Sequence, residues 1–224
     1  MNELNLPTTR SAGKGALIFI VIMATLAGTV LSWYLFKPGH SGTAQIATKQ
    51  ATVLPATKPL APFVLTDQHG ERFDNQRLLG KWTLLSFGYT NCPDICPTDL
   101  AMLAQVDDRL SQDSDMPPYQ IGFVSVDPER DTPAKLAQYV AYFDPKFLGI
   151  TGSEAALLAF TRPLGIIYAK VKTQDSAIGY VVDHSASIVL LDPEGRYRAL
   201  FSPPHHARYM AQDVLAIAQA ESER

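Results

Sequence analysis

Two cysteines, Cys92 and Cys96, carry the only thiols of the chain, and they lie four positions apart in the segment SFGYTNCPDICPTDL (86–100). Thiols at this spacing can form a disulfide, work as a redox pair or bind one metal ion together. A structural disulfide would close a very short loop and would stabilise the fold by only about 2 kcal/mol. The spacing therefore favours a redox pair or a metal site over a structural staple.

The sequence around the cysteines predicts where they lie in the fold. Residues 82–89, WTLLSFGY, form a mostly apolar run of strand length, as expected of a central strand covered on both faces. From Pro97 onward apolar residues recur near helical spacing, so we expect a helix just past Cys96. Unpaired backbone N–H groups at a helix start lower the pKa of a nearby thiol and supply thiolate. This placement suits a redox pair.

A metal site needs a further ligand, and the candidates are the five histidines, His40, His69, His184, His205 and His206. We expect His40 and His69 to be solvated, because they fall in a tether and in a turn. His205 and His206 follow two prolines at a predicted helix start, where exposure or local capping is the default.

His184 differs from the other histidines, because it lies among strand-forming residues in YVVDHSASIV (180–189). Side chains alternate along a strand, so His184 shares a face with Val182 and points away from Asp183. The end of its strand is expected at the sheet edge to which the first strand delivers Cys92. A buried structural histidine is the usual outcome for a lone residue of this type, so the residues alone leave both interpretations open.

The remaining pattern alternates strands and helices, which predicts an α/β fold with a crossover unit, an antiparallel hairpin and a terminal helix. This order is compatible with a thioredoxin-like core. The predicted elements are a hairpin over 62–74, strands over 82–89, 121–127, 166–172, 180–192 and 195–202, and helices over 132–143, 153–165 and 207–220.

Composition divides the chain into four segments. We expect residues 1–15 to form a short cytoplasmic tail. Residues 16–36, ALIFIVIMATLAGTVLSWYLF, carry no charge and can cross the roughly 30 Å core of a bilayer. This run is longer than the apolar stretch of a signal peptide and ends in bulky side chains, so we expect a retained transmembrane anchor. The composition of residues 37–60 predicts a flexible linker, and the length of residues 61–224 fits a single domain. That domain has 14 basic and 21 acidic residues, which argues against nucleic acid as a partner.

Three motifs behind the predicted anchor resemble the Sco/SenC family of copper-binding proteins for cytochrome c oxidase assembly: SFGYTNCPDICPTDL, SVDPERDTP (125–133) and VDHSASIVLLDPEG (182–195). The resemblance covers nearly all of residues 61–224. It implies a thioredoxin-like α/β fold with a central mixed sheet flanked by helices. It also implies one copper ion, Cu(I) or Cu(II), held by Cys92, Cys96 and His184.

The resemblance further implies two partners. One is subunit II of cytochrome c oxidase, or a similar copper acceptor, whose binuclear centre would receive copper or whose cysteines would be reduced; the other is a copper donor protein. The donor chemistry agrees, because two thiolates and an imidazole suit Cu(I), whereas structural zinc takes four ligands. A disulfide cannot bind copper, so metal loading and redox state are coupled. We therefore predict a metallochaperone, and leave open whether the cysteine pair also reduces disulfides.

Two alternatives to a copper chaperone stay open at this point. One is a membrane-tethered thiol-disulfide oxidoreductase that needs no metal, and the other is a copper sensor that signals through its anchor. The tail of 15 residues is too weakly basic for a mitochondrial presequence, since it holds one Arg, one Lys and one Glu. We therefore expect a single-pass protein of the bacterial plasma (inner) membrane, with the C-terminal domain on the periplasmic side.

Several polar residues near the motifs have more than one interpretation. Asp127, Glu129 and Asp131 in SVDPERDTP either form a turn with a helix cap or make an acidic lip that meets a basic partner. Asn91 precedes the first cysteine, where many family members carry another residue, and this changes no ligand. Asp183 is a poor ligand candidate, because it points to the opposite face of its predicted strand.

Overall fold

The computed structural model describes residues 13–35, 46–54, 59–173 and 179–222, in two compact units, 1–44 and 45–224. The first unit contains helix α1 (Gly13–Leu35). Among the residues described, no helix has both the length and the apolar character that a membrane crossing requires. Most of the predicted tail, the last residue of the predicted anchor over 16–36 and part of the predicted linker lie outside the described residues.

The second unit alternates strands and helices as the sequence predicts. Two short 3-10 turns, Asn75–Leu78 and Arg162–Leu164, connect elements in it. The strands and helices in chain order are β1 (Ala51–Val53), β2 (Val64–Asp67), β3 (Arg72–Asp74), β4 (Trp82–Gly88), α2 (Ile95–Leu110), β5 (Tyr119–Ser125), α3 (Pro133–Phe143), β6 (Leu148–Thr151), α4 (Glu154–Thr161), β7 (Tyr168–Lys172), β8 (Tyr180–His184), β9 (Ile188–Leu191), β10 (Tyr197–Phe201) and α5 (Ala207–Ser222).

Eight of these strands form one mixed sheet in the order β1-β10-β9-β4-β5-β6-β2-β3. The strands β4, β5 and β6 run parallel to one another, while β9 lies antiparallel on the other side of β4. Every residue of β4 is buried, as its apolar sequence predicts for a strand covered on both faces. Because β4 is central, the segment that follows it starts from a fixed point in the sheet.

Alternating side chains of the sheet divide the core between its two faces. On one face Leu84 belongs to a cluster with residues of α2, α3 and α5, such as Leu103 and Val214. On the other face Leu85 packs in a cluster with residues of β2, β3 and α4, such as Phe160. The period of two along β4 thus requires helices on both sides of the sheet.

The linker predicted over 37–60 differs from the structure in its second half. Residues Ala51–Val53 form β1, which pairs antiparallel with β10 at the edge of the sheet. The buried carboxylate of Asp213 in α5 accepts hydrogen bonds from the backbone N–H groups of Lys49, Gln50 and Ala51 at 2.7 to 2.8 Å. These bonds satisfy three donors that a short edge strand would otherwise leave to solvent. The folded unit therefore begins before residue 61.

The strand predicted over 180–192 is two strands. The first part, β8, leaves the main sheet and pairs with β7 in a separate two-stranded ribbon, while the second part, β9, returns to the main sheet. Residues 185–187 connect the two parts without belonging to a strand. His184 is thus the last residue of the ribbon. It is not at the end of a strand of the central sheet, where the sequence predicts it.

Candidate metal centre

Both sulfurs lie beyond the carboxyl end of β4. After the strand ends at Gly88 the chain turns, and the Cys92 N–H donates to the Tyr89 carbonyl at 3.1 Å. Helix α2 begins at Ile95, so Cys96 lies in its first turn, whereas the sequence predicts a helix start just past it. Cys96 is buried, Cys92 is half-buried, and both thiols are free. The start of α2 therefore brings the backbone N–H groups of Asp94 and Cys96 to the sulfur of Cys92.

Gly88 makes room for the buried sulfur. A Cβ atom added at Gly88 would lie 2.5 Å from Cys96 Sγ and 3.0 Å from the ring of Phe123. Real Cβ atoms do not approach other heavy atoms so closely, so a side chain here must displace the sulfur or the ring. The Cys96 sulfur therefore packs closely against the backbone of β4, next to the Phe123 ring on β5.

His184 at the end of β8 completes the group. Its Nε2 lies 3.3 Å from Cys96 Sγ, and its Nδ1 lies 3.2 Å from the Ser185 carbonyl oxygen. Only a ring N–H can donate to that carbonyl, which places a proton on Nδ1, while Nε2 is the ring nitrogen that faces the sulfurs. The ligand atoms of Cys92, Cys96 and His184 lie within 4.8 Å of one another. The structure thus brings together the three residues that the sequence predicts as ligands.

The pKa values of the two thiols are shifted in opposite directions. A hydrogen bond from Cys96 lowers the pKa of Cys92 to about 3, and it outweighs the opposing effect of burial; His184 and the backbone N–H groups of Asp94 and Cys96 add to it. The same hydrogen bond, followed by burial, raises the pKa of Cys96 far above its ordinary value. One proton shared between two sulfurs explains both shifts, because the thiol that keeps the proton stabilises its neighbour as a thiolate.

Burial and nearby negative charge have opposing effects on the pKa of His184. Burial disfavours the charged form of His184, but hydrogen bonds to Cys92 and to the Ser185 carbonyl, together with the charges of Cys92 and Asp99, raise its pKa above the ordinary value. A cation at the same place would meet the same negative charges. The pocket is therefore electrostatically suited to a positively charged ion.

A family model described as SCO1/SenC matches residues 52–219 of the chain. The chain belongs to the SCO1/SenC family. The predicted resemblance to this family is thereby confirmed.

Two relatives of this SCO1/SenC chain illustrate the extent of the match. Protein SCO1 homolog 1, mitochondrial, of Arabidopsis thaliana is 34% identical over 200 residues, which cover 88% of this chain and 59% of that protein. An SCO2-like protein of Rickettsia prowazekii is 40% identical over 141 residues, which cover 62% of this chain and 67% of that protein. The chain thus spans only part of the length of these relatives.

Two solved structures share the SCO1/SenC fold of this chain. A crystal structure of Arabidopsis thaliana ScoI with copper bound has a TM-score of 0.67 at 35% identity and covers 75% of this chain and 100% of that chain. A structure of Bradyrhizobium japonicum ScoI with copper bound has a TM-score of 0.62 at 38% identity and covers 70% of this chain and 98% of that chain. The expected thioredoxin-like α/β fold with a mixed sheet is confirmed by these likenesses.

The acidic lip predicted as one interpretation of the SVDPERDTP loop is wrong for two of its three carboxylates. Asp127 and Asp131 are 0% and 1% exposed, so they cannot present charge to a partner. Asp131 accepts hydrogen bonds from the backbone N–H of Thr90 at 2.8 Å and from the hydroxyl of Ser125 at 2.6 Å. Glu129 is exposed and pairs with Lys170. The turn and cap interpretation therefore describes this loop of the SCO1/SenC chain.

Arg130, to which the sequence assigns no role, links the same loop to the ribbon that carries His184. Its Nε donates to Asp127, and its Nη1 donates to the Tyr180 carbonyl at 3.3 Å. The guanidinium lies 3.8 Å from the centre of the Tyr180 ring and 5.4 Å from that of Tyr89. Tyr89 in turn meets the His184 ring edge to face, with 6.1 Å between ring centres. A half-buried arginine in an acidic loop has no local sequence signature, so only the fold reveals this role.

Two further residues that the sequence analysis did not assign to the site lie near it. Asp99 is buried one turn after Cys96, and burial raises its pKa against the opposing influence of His205 and His184. The prediction of exposure or capping for His205 is incomplete, because its Nε2 lies 2.7 Å from the Ala186 carbonyl oxygen in the segment that follows His184. Spacing could not have indicated either contact, because both depend on how α2 and α5 pack against the sheet.

The other polar residues named from the sequence do not join the three ligand candidates. His69 and His206 are exposed, as predicted, and His40 lies outside the described residues. Asn91 is exposed and accepts a hydrogen bond from Lys135 Nζ at 2.6 Å. Asp183 is exposed while Val182 is buried, which confirms the predicted alternation along β8.

An open groove of about 270 Å³ runs beside His184. Its lining comes from both strands of the ribbon and the residue after it: Ile167, Tyr168, Ala169, Asp183, His184 and Ser185. The groove leaves one side of the imidazole accessible from solvent. A second molecule can therefore approach His184 of this SCO1/SenC chain without any rearrangement of the main sheet.

Proposed function

We propose that this protein binds one copper ion through Cys92, Cys96 and His184 and serves as a copper chaperone in the assembly of cytochrome c oxidase. The observation that carries the proposal is the convergence of two thiols and an imidazole within 4.8 Å. Two soft sulfur donors and one imidazole nitrogen suit Cu(I), whereas a structural zinc site takes four protein ligands. The copper-bound ScoI structures of Arabidopsis and Bradyrhizobium support the choice of metal.

The geometry suggests how the cargo would be received and passed on. Cys92 is already a thiolate at neutral pH because its pKa lies near 3, so it releases no proton when the metal arrives, whereas Cys96 must release one. Thiolates of the acceptor, which we propose to be subunit II of the oxidase, would then replace the three ligands one at a time. The copper keeps its oxidation state in this exchange, so no electron donor is needed for it.

A second candidate function is reduction of disulfides, either on the oxidase subunit or more generally. The pairing of an acidic, half-buried Cys92 with a buried, protonated Cys96 favours it, since a thiolate attacks a disulfide and a neighbouring thiol resolves the mixed product. In that reaction Cys92 and Cys96 would join in a disulfide, while the partner's disulfide would take up two electrons and two protons. This reaction does not require His184.

Copper binding to the full chain separates the two candidates. The purified, reduced chain is loaded with Cu(I) without oxygen, and stoichiometry and affinity are compared between the wild type, His184→Ala and the exposed-site control His69→Ala. We expect one copper per chain and an affinity at least about tenfold lower in His184→Ala alone. Normal copper binding by His184→Ala, together with substantial disulfide reduction, would favour the oxidoreductase.

We further propose that residues 16–36 attach the protein to the bacterial inner membrane, with residues 61–224 in the periplasm. The support is the run of 21 uncharged residues and the exposure of large apolar side chains on α1, such as Ile18, Phe19 and Leu31. We expect the chain to stay in the membrane fraction after an alkaline carbonate wash. A C-terminal alkaline phosphatase fusion should be active, because that reporter folds only outside the cytoplasm. Release by carbonate, or an inactive fusion, would contradict the proposal.

A further inference from the structure

His184 lies at the end of a ribbon that has little support of its own. Within the described residues its strand, β8, pairs with β7 alone, and an isolated pair of strands is marginally stable in water. The two sulfurs, in contrast, follow the central strand of the main sheet. The distance between the imidazole and the sulfurs therefore depends on the contacts that fasten the ribbon to the rest of the folded unit.

The start and the middle of β8 are fastened by contacts already described. Arg130 holds the Tyr180 carbonyl and stacks on its ring, and Val182 is buried in the main core. At the other end the Ser185 N–H donates to the Ile167 carbonyl at 3.0 Å, and the Ile167 N–H donates to Ser185 Oγ at 3.2 Å. These last bonds join the end of β8 only to residue 167, which leads into β7. They do not fix the ligand end relative to the sulfurs.

Besides the contacts of the His184 ring with Cys96 and Tyr89, His205 attaches the backbone that follows His184. Its Nε2 lies 2.7 Å from the carbonyl oxygen of Ala186, two residues after His184. His205 precedes α5, and α5 packs against α2, the helix that carries Cys96. One short hydrogen bond therefore connects the segment after the imidazole to the helix layer that holds the buried sulfur.

The ring of His205 is held in the tautomer that this bond needs. A carbonyl accepts only from an N–H, so the proton lies on Nε2 and Nδ1 is an acceptor. The side-chain amide of Gln50 lies 3.5 Å from that Nδ1 and donates to the Pro204 carbonyl at 2.7 Å. Gln50 also accepts the His206 N–H at 3.2 Å. The residue that orients His205 thus comes from the segment leading into β1.

We infer that His205 is a positioning residue for the metal ligand His184. It contacts neither copper nor the sulfurs; it acts through the Ala186 carbonyl, by limiting how far the end of the ribbon moves away from Cys92 and Cys96. The inference rests on the proposed copper site for its functional consequence. The contact itself exists without metal, so it can be tested separately.

Four substitutions in the full chain test the inference. His205→Ala removes the donor, His205→Gln keeps an N–H at about the position of Nε2, and His205→Asn keeps one only at the position of Nδ1. His206→Ala changes the adjacent exposed histidine and is the matched control. Cu(I) affinity is measured for each reduced variant. The ring signals of His184 are recorded by NMR in the metal-free, histidine-labelled protein, and unfolding by urea reports overall stability.

We expect His205→Ala and His205→Asn to lower copper affinity about tenfold, as loss of an outer contact to a ligand typically does. Both should also shift or broaden the His184 ring signals in the metal-free protein. His205→Gln and His206→Ala should resemble the wild type in both measurements. Affinities within twofold of the wild type, with unchanged His184 signals, would overturn the inference.

Two further outcomes stay informative. If His205→Ala does not fold, the comparison of the Gln and Asn variants decides, and equal values for these two would overturn the inference. If the wild type binds no copper, the proposed function fails, while the NMR comparison in the metal-free protein still tests the role of His205. The two failures are therefore distinguishable.

Discussion

The two thiols of the site are chemically unequal although they share one short segment. Cys92 has a pKa of about 3 because Cys96 and His184 donate hydrogen bonds to its sulfur. The pKa of Cys96 is raised because it keeps the shared proton and is buried. A lowered pKa means that the thiolate is present at every pH above it, so acid conditions that protonate ordinary thiols leave Cys92 ionised.

We predict that iodoacetamide modifies Cys92 and spares Cys96 in the reduced, metal-free protein at pH 5. The rate at Cys92 should stay nearly constant from about pH 5 to pH 8, because the thiolate fraction does not change there. Peptide mass spectrometry after timed quenching measures both rates, with glutathione as the reference thiol. Equal modification of both cysteines, or a rate at Cys92 that rises with pH as glutathione does, would contradict the assignment of the proton.

Gly88 offers a second test at the level of one atom. We predict that Gly88→Ala lowers Cu(I) affinity at least about tenfold, because its Cβ would occupy a position 2.5 Å from Cys96 Sγ. The control is Gly122→Ala in β5, where the added Cβ meets the ends of Leu85 and Ile150 side chains at 3.0 and 3.1 Å. Both variants should lose about 1–3 kcal/mol of stability from overpacking.

Copper titration and urea unfolding of both glycine variants separate the two effects. Only Gly88→Ala should combine weaker copper binding with the loss of stability. If Gly122→Ala weakens copper binding as much, the change reflects general disturbance of the sheet and not displacement of the sulfur.

Among individual residues, the candidate metal ligands could be predicted from the sequence, whereas the residues that hold these ligands in place could not. Cys92, Cys96 and His184 stand in motifs, and the structure brings them together. Arg130 and His205 could not be assigned, because their roles consist of contacts made across the fold, each to a backbone carbonyl that any residue could supply.

Among the elements, β1 is held to the folded unit partly by the side chain of Asp213. Asp213 is 2% exposed and accepts three backbone N–H groups from the segment that enters β1. We predict that Asp213→Ala lowers the free energy of unfolding by about 2–4 kcal/mol, because it leaves these donors without their charged acceptor. Asp108→Ala on the exposed face of α2 is the control and should change stability by less than about 0.5 kcal/mol. Urea unfolding measures both, and equal effects would contradict this role of Asp213.

The elements show what periodicity can and cannot predict. The central strand and the helices after Thr132 and Ser153 were predicted, because their apolar spacing and caps are local signals; both hydroxyls accept a hydrogen bond from the third residue of their helix. Two short strands, β1 and β6, were missed, since three or four residues cannot display a period. The division of residues 180–192 into β8 and β9 was also missed, because a continuous β pattern does not reveal that its two halves belong to different sheets.

For the whole molecule, the limits of the folded unit follow from the same contacts. We predict that a chain starting at residue 61 is markedly less stable than one starting at residue 45, because it lacks β1 and the partners of Asp213 and Arg198. The Arg198 guanidinium is buried and donates to the Leu54 carbonyl, so the truncation leaves this charged group without one acceptor.

Urea unfolding and far-ultraviolet circular dichroism of both truncated chains measure the difference. The longer chain should show a single cooperative transition at higher urea concentration. Identical transitions would mean that residues 45–60 do not belong to the folded unit.

The separation of the ribbon from the main sheet also bears on the order in which the two sulfurs and the imidazole nitrogen would release a bound metal ion. Both sulfurs are fixed by a strand and a helix of the central framework, whereas the nitrogen belongs to an appendage of two strands. If the chain carries copper as proposed, a small outward movement of that ribbon would separate the imidazole from the metal while Cys92 and Cys96 still held it. A sulfur of the acceptor could then bind before the metal has left, so transfer would need neither free metal in solution nor unfolding of the main sheet.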